Sequence, residues 1–301
     1  MTDLPRHVDI RDVSMRDGLQ IEEPIPLSAK LELLAAIAAT GVREMEATAF
    51  VSPSKVPALA DAAQLAAELH HFPGIEFSAL VASPNGAKRA IAAGLDSIEY
   101  VVSASDAHSR ANVGRDTAEA TTAIADVTRI AHDQGARVEV IIATAWDCPF
   151  DGPTDPRRVI DIASAAVELG VDRIAIADTI GTTTPLRVST LIEAIRPIVD
   201  GLPLGAHFHN TRGAGLASAF AAVQAGITRL DASIGGLGGC PFAPGATGNI
   251  ATEDLVYMLA RAGFETGYDL DALIATARWI GEAIGRPAPS ALSRAGGFPK
   301  R

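Results

Sequence analysis

His207 and His209 flank a single phenylalanine in the run Ala206-His-Phe-His-Asn210. Side chains alternate between faces along a strand, so residues two apart project to one side. Two imidazoles on one face, with a carboxylate in reach, offer nitrogen and oxygen donors and no thiolate. That set suits a divalent cation which keeps positions open for water or substrate oxygens. A lone histidine is more often a hydrogen-bonded structural residue. The pairing on one strand end, with Asp17 and Asn249 at neighbouring ends, favours the ligand reading. The other five, His7, His70, His71, His108 and His132, lack this spacing. His70, His71 and His132 fall late in helical stretches, where a cation complements the dipole. His108 is left open as a substrate-side residue.

The second reactive candidate is Cys240, in the stretch Gly235 to Asn249, which holds six glycines and two prolines in fifteen residues. Such a run cannot be a helix or a central strand. It joins a half-apolar run, Arg229 to Ile234, to a helical stretch that opens at Ala251-Thr-Glu-Asp254 with acidic residues in its first turn. Loops from a strand's C-terminal end to a helix carry the chemistry of barrel and open α/β enzymes. A free cysteine is commonly a small buried hydrophobe, but this loop context favours a chemical role.

Composition bounds the rest. The 301 residues are 48% hydrophobic and 20% charged, enough for a sizeable core. No apolar run approaches the roughly 18 residues of a spanning helix, so no membrane partner is expected. Two cysteines, Cys148 and Cys240, and no basic-then-apolar N-terminal pattern point to a reducing cytoplasm without a secretory signal. A formal charge of -11 argues against nucleic acid, and an anionic ligand would need locally placed cations or a metal.

The elements that must position these residues alternate strand and helix. Strands are expected over 7–13, 44–49, 76–82, 97–103, 137–145, 173–177, 205–208 and 230–234. Helices are expected over 28–40, 58–70, 115–134 and 156–169, and glycines at 41, 94, 135, 170 and 226 stand where helices end. Eight such repeats fit an α/β (β/α)8 TIM barrel better than a doubly wound open sheet, whose dinucleotide-binding turn is missing after the first strand. One domain is expected, with the barrel over about 7–263 and a helical extension over about 264–301, including a helix over 269–285. In a barrel, Arg16-Asp17-Gly18, Glu46, Asp178-Thr179, the two histidines, Cys240 and Asn249 would converge at one mouth.

Gly238-Gly-Cys-Pro-Phe-Ala-Pro-Gly-Ala-Thr-Gly-Asn249, continuing to Asp254, resembles the cysteine loop of 3-hydroxy-3-methylglutaryl-CoA lyases. Arg16-Asp-Gly-Leu-Gln20 is similar to that family's first-strand motif, shared with metal-dependent barrel lyases and Claisen-type synthases. Segments 46–53, 84–85, 103–106 and 177–181 agree in order along nearly the whole chain. The resemblance implies a divalent metal, Mg or Mn, held by Asp17, His207, His209 and Asn249. It also implies retro-Claisen cleavage of a 3-hydroxyacyl-CoA to a keto acid and acetyl-CoA. Arg16 would face the thioester oxygen, and Cys240 would protonate the acetyl-CoA carbanion. Asp17 would serve as ligand, base or both. Glu46 and Asp178 would position Arg16, water or hydroxyl, or act as structural ion-pair partners. Asn85, Ser105, Arg110 and Asn112, on loops after strands three and four, would lie on the CoA side; a homodimer is the family expectation.

One departure bears on substrate. Where the lyases have Asp-Thr-Tyr after the second histidine, this chain has Asn210-Thr-Arg212. The change removes a carboxylate that could orient a ligand histidine and leaves the ligands themselves intact. Citramalyl-CoA or a longer 3-hydroxy-3-alkylglutaryl-CoA is therefore the alternative substrate. A barrel that has lost catalysis is the alternative from another class, and retention of the full reactive set argues against it.

Overall fold

The computed structural model of the protein describes residues 5–239 and 248–298. Its eight parallel strands are β1 (Asp9–Asp12), β2 (Glu44–Phe50), β3 (Glu76–Val81), β4 (Ser97–Ser103), β5 (Arg137–Ala143), β6 (Arg173–Asp178), β7 (Leu204–Phe208) and β8 (Arg229–Ala232). They close in the order β1-β8-β7-β6-β5-β4-β3-β2, with β1 also paired to β2. The TIM barrel expected from the alternation is thus formed, and the open sheet, which would leave two edges, is excluded.

Period-two alternation makes two different faces from each strand. Ile98 and Val102 of β4, Val140 and Ile142 of β5, and Ile174 and Ile176 of β6 are buried in one core with helix residues such as Leu34, Ile37 and Val127. The intervening positions Ile141, Ala175 and Ala177, with Val101 against them, form a separate small apolar cluster. Glu99 and Glu139 continue those same inward rows of β4 and β5. Arg11 of β1 donates to Glu99 at 2.5 Å and Glu139 at 2.6 Å. Because β1 and β4 are not neighbours, that contact passes through the barrel interior.

Helix starts follow side-chain caps. Ser83 accepts from Gly86 N at the head of Pro84–Ala92, and Asp116 with Glu119 makes a capping box for Thr117–Thr122. The helix expected over 115–134 is divided into Thr117–Thr122 and Ile124–His132. Ala123 between them keeps near-helical angles (φ -69°, ψ -12°), a local tightening of the 3₁₀ kind. The stretch expected as a helix over 58–70 is α-helical only over Ala62–Glu68, with 3₁₀ turns at Pro57–Leu59 and Leu69–His71. Segment 105–112, expected as loop, contains helix Asp106–Val113, capped by Ser105 and closed by Gly114 at φ 73°. Asn85 likewise stands in the first turn of Pro84–Ala92. After the barrel come helices Leu270–Ala283 and Ala291–Ala295, and Tyr268 ties this region to β1 by donating to Ile10 O at 2.9 Å. No helix among the described residues is long and apolar enough to cross a membrane.

Candidate metal centre

Arg16 and Asp17 leave β1 on a single π-helical turn, Ser14–Gly18, a conformation frequent at functional sites. The turn is pinned to the end of β8, where Ile234 N donates to Ser14 Oγ at 2.8 Å. His207 is the penultimate residue of β7, and His209 lies just past its end in an isolated bridge with Asn249. One donor atom each from Asp17, His207 and His209 all lie within 4.8 Å of one another.

Each ring is committed at Nδ1. His207 Nδ1 donates to Asp231 Oδ2 at 3.1 Å, and His209 Nδ1 to the Thr179 carbonyl at 2.7 Å. The hydrogen-bond pattern therefore assigns Nε2 of both rings as the atom to offer, and His209 Nε2 is 3.4 Å from Asp17 Oδ2. Asn249 Nδ2 donates to Asp17 Oδ2 at 2.7 Å and Leu237 O at 2.9 Å, while its Oδ1 is buried without a partner. An orphaned acceptor of this kind costs roughly 1–3 kcal/mol, and a cation would satisfy it. Two imidazole nitrogens, a carboxylate and an amide oxygen fit a divalent metal.

Charge is tightly arranged around this set. Arg16 donates to Glu46 Oε2 at 2.6 Å and Asp17 Oδ1 at 2.5 Å. Burial would raise the Asp17 pKa, but the Arg16 guanidinium and then His209 outweigh it and hold the carboxyl well below its usual range. Burial would lower His209, yet the bond and charge of Asp17 raise it. Glu46 is pushed well up, by burial first and by the neighbouring Glu99 after it, against the pull of Arg16. The β2–β3 register slips between Glu46 and Thr48, the kind of irregularity that re-aims a side chain beside a site.

Asp178 ends β6 and accepts from Thr182 N and Thr183 N, both at 3.0 Å, so its carboxylate anchors the following loop; burial raises its pKa. A cavity of about 730 Å³ runs from Arg16, Asp17, His207 and His209 to Asn85 and Asn112. Ser105 and Arg110 are not on its wall. Ser105 donates to Asp151 Oδ2 at 2.6 Å, and Arg110 pairs with Asp116 at 3.4 Å on the surface. Cys240 lies outside the described residues; Gly239 before it lines the cavity.

Sequence reasoning missed several contributors. Gln20 donates to Asp17 Oδ1 at 2.7 Å, and Lys55, Arg89 and Arg115 line the cavity in an otherwise acidic chain. Asp231 was missed as well, though a lone carboxylate in the half-apolar run Leu230-Asp-Ala-Ser-Ile234 is a readable signal. It and the Thr179 carbonyl are the Nδ1 partners of the two rings. Asn210 faces elsewhere: its Oδ1 accepts from Gly215 N at 3.0 Å, and Arg212 donates to Ile180 O at 2.7 Å. The departure from Asp-Thr-Tyr thus takes no partner from either histidine.

Fold and site together define a TIM-barrel protein whose C-terminal mouth carries a candidate divalent-metal centre beside a buried guanidinium. A family model described as HMGL-like matches residues 7–280. The chain belongs to the HMGL-like family. It is 36% identical over 288 residues to hydroxymethylglutaryl-CoA lyase YngG of Bacillus subtilis, covering 95% of this chain and 96% of that one. It is 41% identical over 300 residues to (R)-citramalyl-CoA lyase of Chloroflexus aurantiacus, covering 96% and 95%. A solved HMG-CoA lyase from Acinetobacter baumannii, in complex with coenzyme A and 3-methylmalate, is 36% identical with a TM-score of 0.94 over all of both chains.

Proposed function

We propose that the protein is a divalent-metal-dependent carbon–carbon lyase that cleaves 3-hydroxy-3-methylglutaryl-CoA to acetoacetate and acetyl-CoA. The observation that carries this reading is the buried Arg16 guanidinium, 2.5 Å from Asp17, beside the three-donor cluster in the 730 Å³ cavity. Full-length similarity to HMG-CoA lyases supports it. Mg or Mn is the proposed metal, with Asp17, His207, His209 and Asn249 to hold it.

When bound, a divalent cation supplies Lewis-acid polarisation of the hydroxyl and a template for the departing keto acid. Asp17 is the carboxylate placed to take the C3 hydroxyl proton; the Arg16 guanidinium that keeps it ionised also makes it a weak base. The C2–C3 bond then breaks with its electron pair passing to the thioester as an enolate. Arg16, fixed by Glu46 and Asp17, faces the thioester oxygen, where its charge is worth more in the transition state than in the ground state. The Cys240 thiol gives its proton to C2, completing acetyl-CoA; its neighbour Gly239 already borders the cavity. Asn85 and Asn112, with Lys55, Arg89 and Arg115, receive the CoA portion.

A second reading, citramalyl-CoA cleavage, is favoured by the 41% identity to the Chloroflexus enzyme. Mass spectrometry of products from a panel of CoA thioesters, with Mg or Mn added, decides. Acetoacetate with acetyl-CoA supports the first reading, pyruvate with acetyl-CoA the second, and no cleavage of any member sinks both. We further propose one barrel domain with its extension, a homodimer and a cytoplasmic setting; gel filtration and cell fractionation test the last two.

A further inference from the structure

The metal-site histidines are unequally supported. His209 leans on a backbone carbonyl, whereas His207 leans on a carboxylate that is itself clamped. Strand register explains the arrangement. Arg11 of β1 stands beside Asp231 of β8, and Asp231 beside His207 of β7, so the three form one row on adjacent strands.

Within that row, Arg11 Nε donates to Asp231 Oδ1 at 3.0 Å and Arg11 Nη2 to Oδ2 at 2.8 Å, a two-pronged pair in which both components are almost fully buried. Asp231 Oδ2 also receives His207 Nδ1. Arg11 Nη1 turns the other way, to Glu99 and Glu139. Ser78 holds Glu99 at 2.5 Å, and Arg229 closes on Glu139. The interior positions that most barrels fill with branched apolar residues here hold a continuous set of charges, costly to bury unless each has a partner.

We infer that Asp231, clamped by Arg11, is a positioning residue for the metal centre: it fixes the His207 ring with Nε2 toward the cation. The inference rests on the reading of His207 as a metal ligand. A bidentate guanidinium leaves the carboxylate no freedom to rotate, so the imidazole inherits its orientation from the barrel wall. Arg11 is the component that lysine cannot imitate, because an ammonium lacks the planar fork.

The test uses the full-length protein freed of metal and titrated with MnCl2, following loss of the free Mn2+ signal by electron paramagnetic resonance. Asp231→Asn is expected to weaken Mn2+ binding about 10- to 100-fold, and Arg11→Lys by a smaller factor of at least about 3, as for other groups behind a ligand histidine. In the metal-free protein, 15N spectra of the histidines should show the His207 proton on Nδ1 in the parent and displaced in Asp231→Asn. Wild-type Mn2+ affinity in both variants, even with a lowered thermal midpoint, would leave Asp231 a purely structural residue and overturn the inference. If Asp231→Asn does not fold, Arg11→Lys decides alone by the same criterion. Failure of the parent protein to bind Mn2+ would instead remove the metal reading itself, and this inference with it.

Discussion

The two ends of the cavity are built by different means. At one end Asp17, His207, His209 and Asn249 are all buried; the first three stand at or just beyond strand ends and Asn249 in the loop before helix Thr252–Arg261, held by bonds to Asp231, Thr179 and one another. At the other end Lys55, Asn85 and Arg89 are exposed and stand on loops or helices outside the barrel wall. Their bonds are few and long, such as Arg89 to Val51 O at 3.4 Å and Lys55 to Asn112 O at 3.2 Å. The difference separates two tasks. Bond breaking needs groups fixed to a fraction of an ångström, which a sheet supplies. On the proposed function, a long, flexible CoA tail needs many weak contacts, which side chains on loops and helices can supply without exact placement.

The largest effects should therefore fall at the strand-end side. Arg16→Gln is expected to lower kcat by about 100- to 1,000-fold, the usual cost of losing one preorganised donor, and to lower the thermal midpoint as well, because Glu46 and Asp17 are left buried without their cation. Asp17→Asn should be worse, because it removes rate and metal affinity together. Steady-state kinetics and Mn2+ titration of both variants separate the two roles. Near-normal turnover in Arg16→Gln would erase the functional contrast between the ends.

An intermediate effect sharpens the comparison through pH. His108 lines the cavity on the helix side, is 3% exposed and sits with Nδ1 2.5 Å from Ser103 Oγ. Burial lowers its pKa from 6.5 to about 4, so the folded protein holds the neutral ring. The folded value is the depressed one, so this stability is present above pH 6.5 and is lost as pH falls toward 4. The loss amounts to about 2–3 kcal/mol. Asp17 and Asp231 have depressed carboxyl values, so their contribution survives until still lower pH. Urea unfolding at pH 7 and pH 4.5 should show a smaller difference for His108→Gln than for the parent. An unchanged difference would place the acid-sensitive group elsewhere.

Legibility in the sequence follows the same division. The strand-end donors could be read because period two makes His207 and His209 project together, and because Arg16-Asp17 directly follows a strand. Arg11 was hidden among the three charges of β1, and Asp231 could be read as a lone carboxylate but not paired: only closure of the barrel shows that β1 and β8 are neighbours. Helix Asp106–Val113 was hidden for a different reason. Its residues carry no apolar stripe, and it exists through the Ser105 cap and Gly114 at its end. Lys55, Arg89 and Arg115 lie on three separate segments, so their shared cavity is a tertiary fact.

The smallest expected effect is the one that most directly probes the helix side. Lys55 is exposed, and among the described residues its ammonium donates to the Asn112 carbonyl alone, at 3.2 Å. A contact between such a group and a CoA phosphate is screened by water and salt, and is worth about 0.5–1 kcal/mol. Lys55→Ala should therefore raise KM for the CoA thioester about two- to five-fold and leave kcat unchanged, the signature of binding energy shared by ground and transition states. Raising ionic strength should shrink the difference between the variant and the parent. A fall in kcat at saturating substrate would show that this end of the cavity also positions the reacting carbons, and the division between the two ends would have to be redrawn.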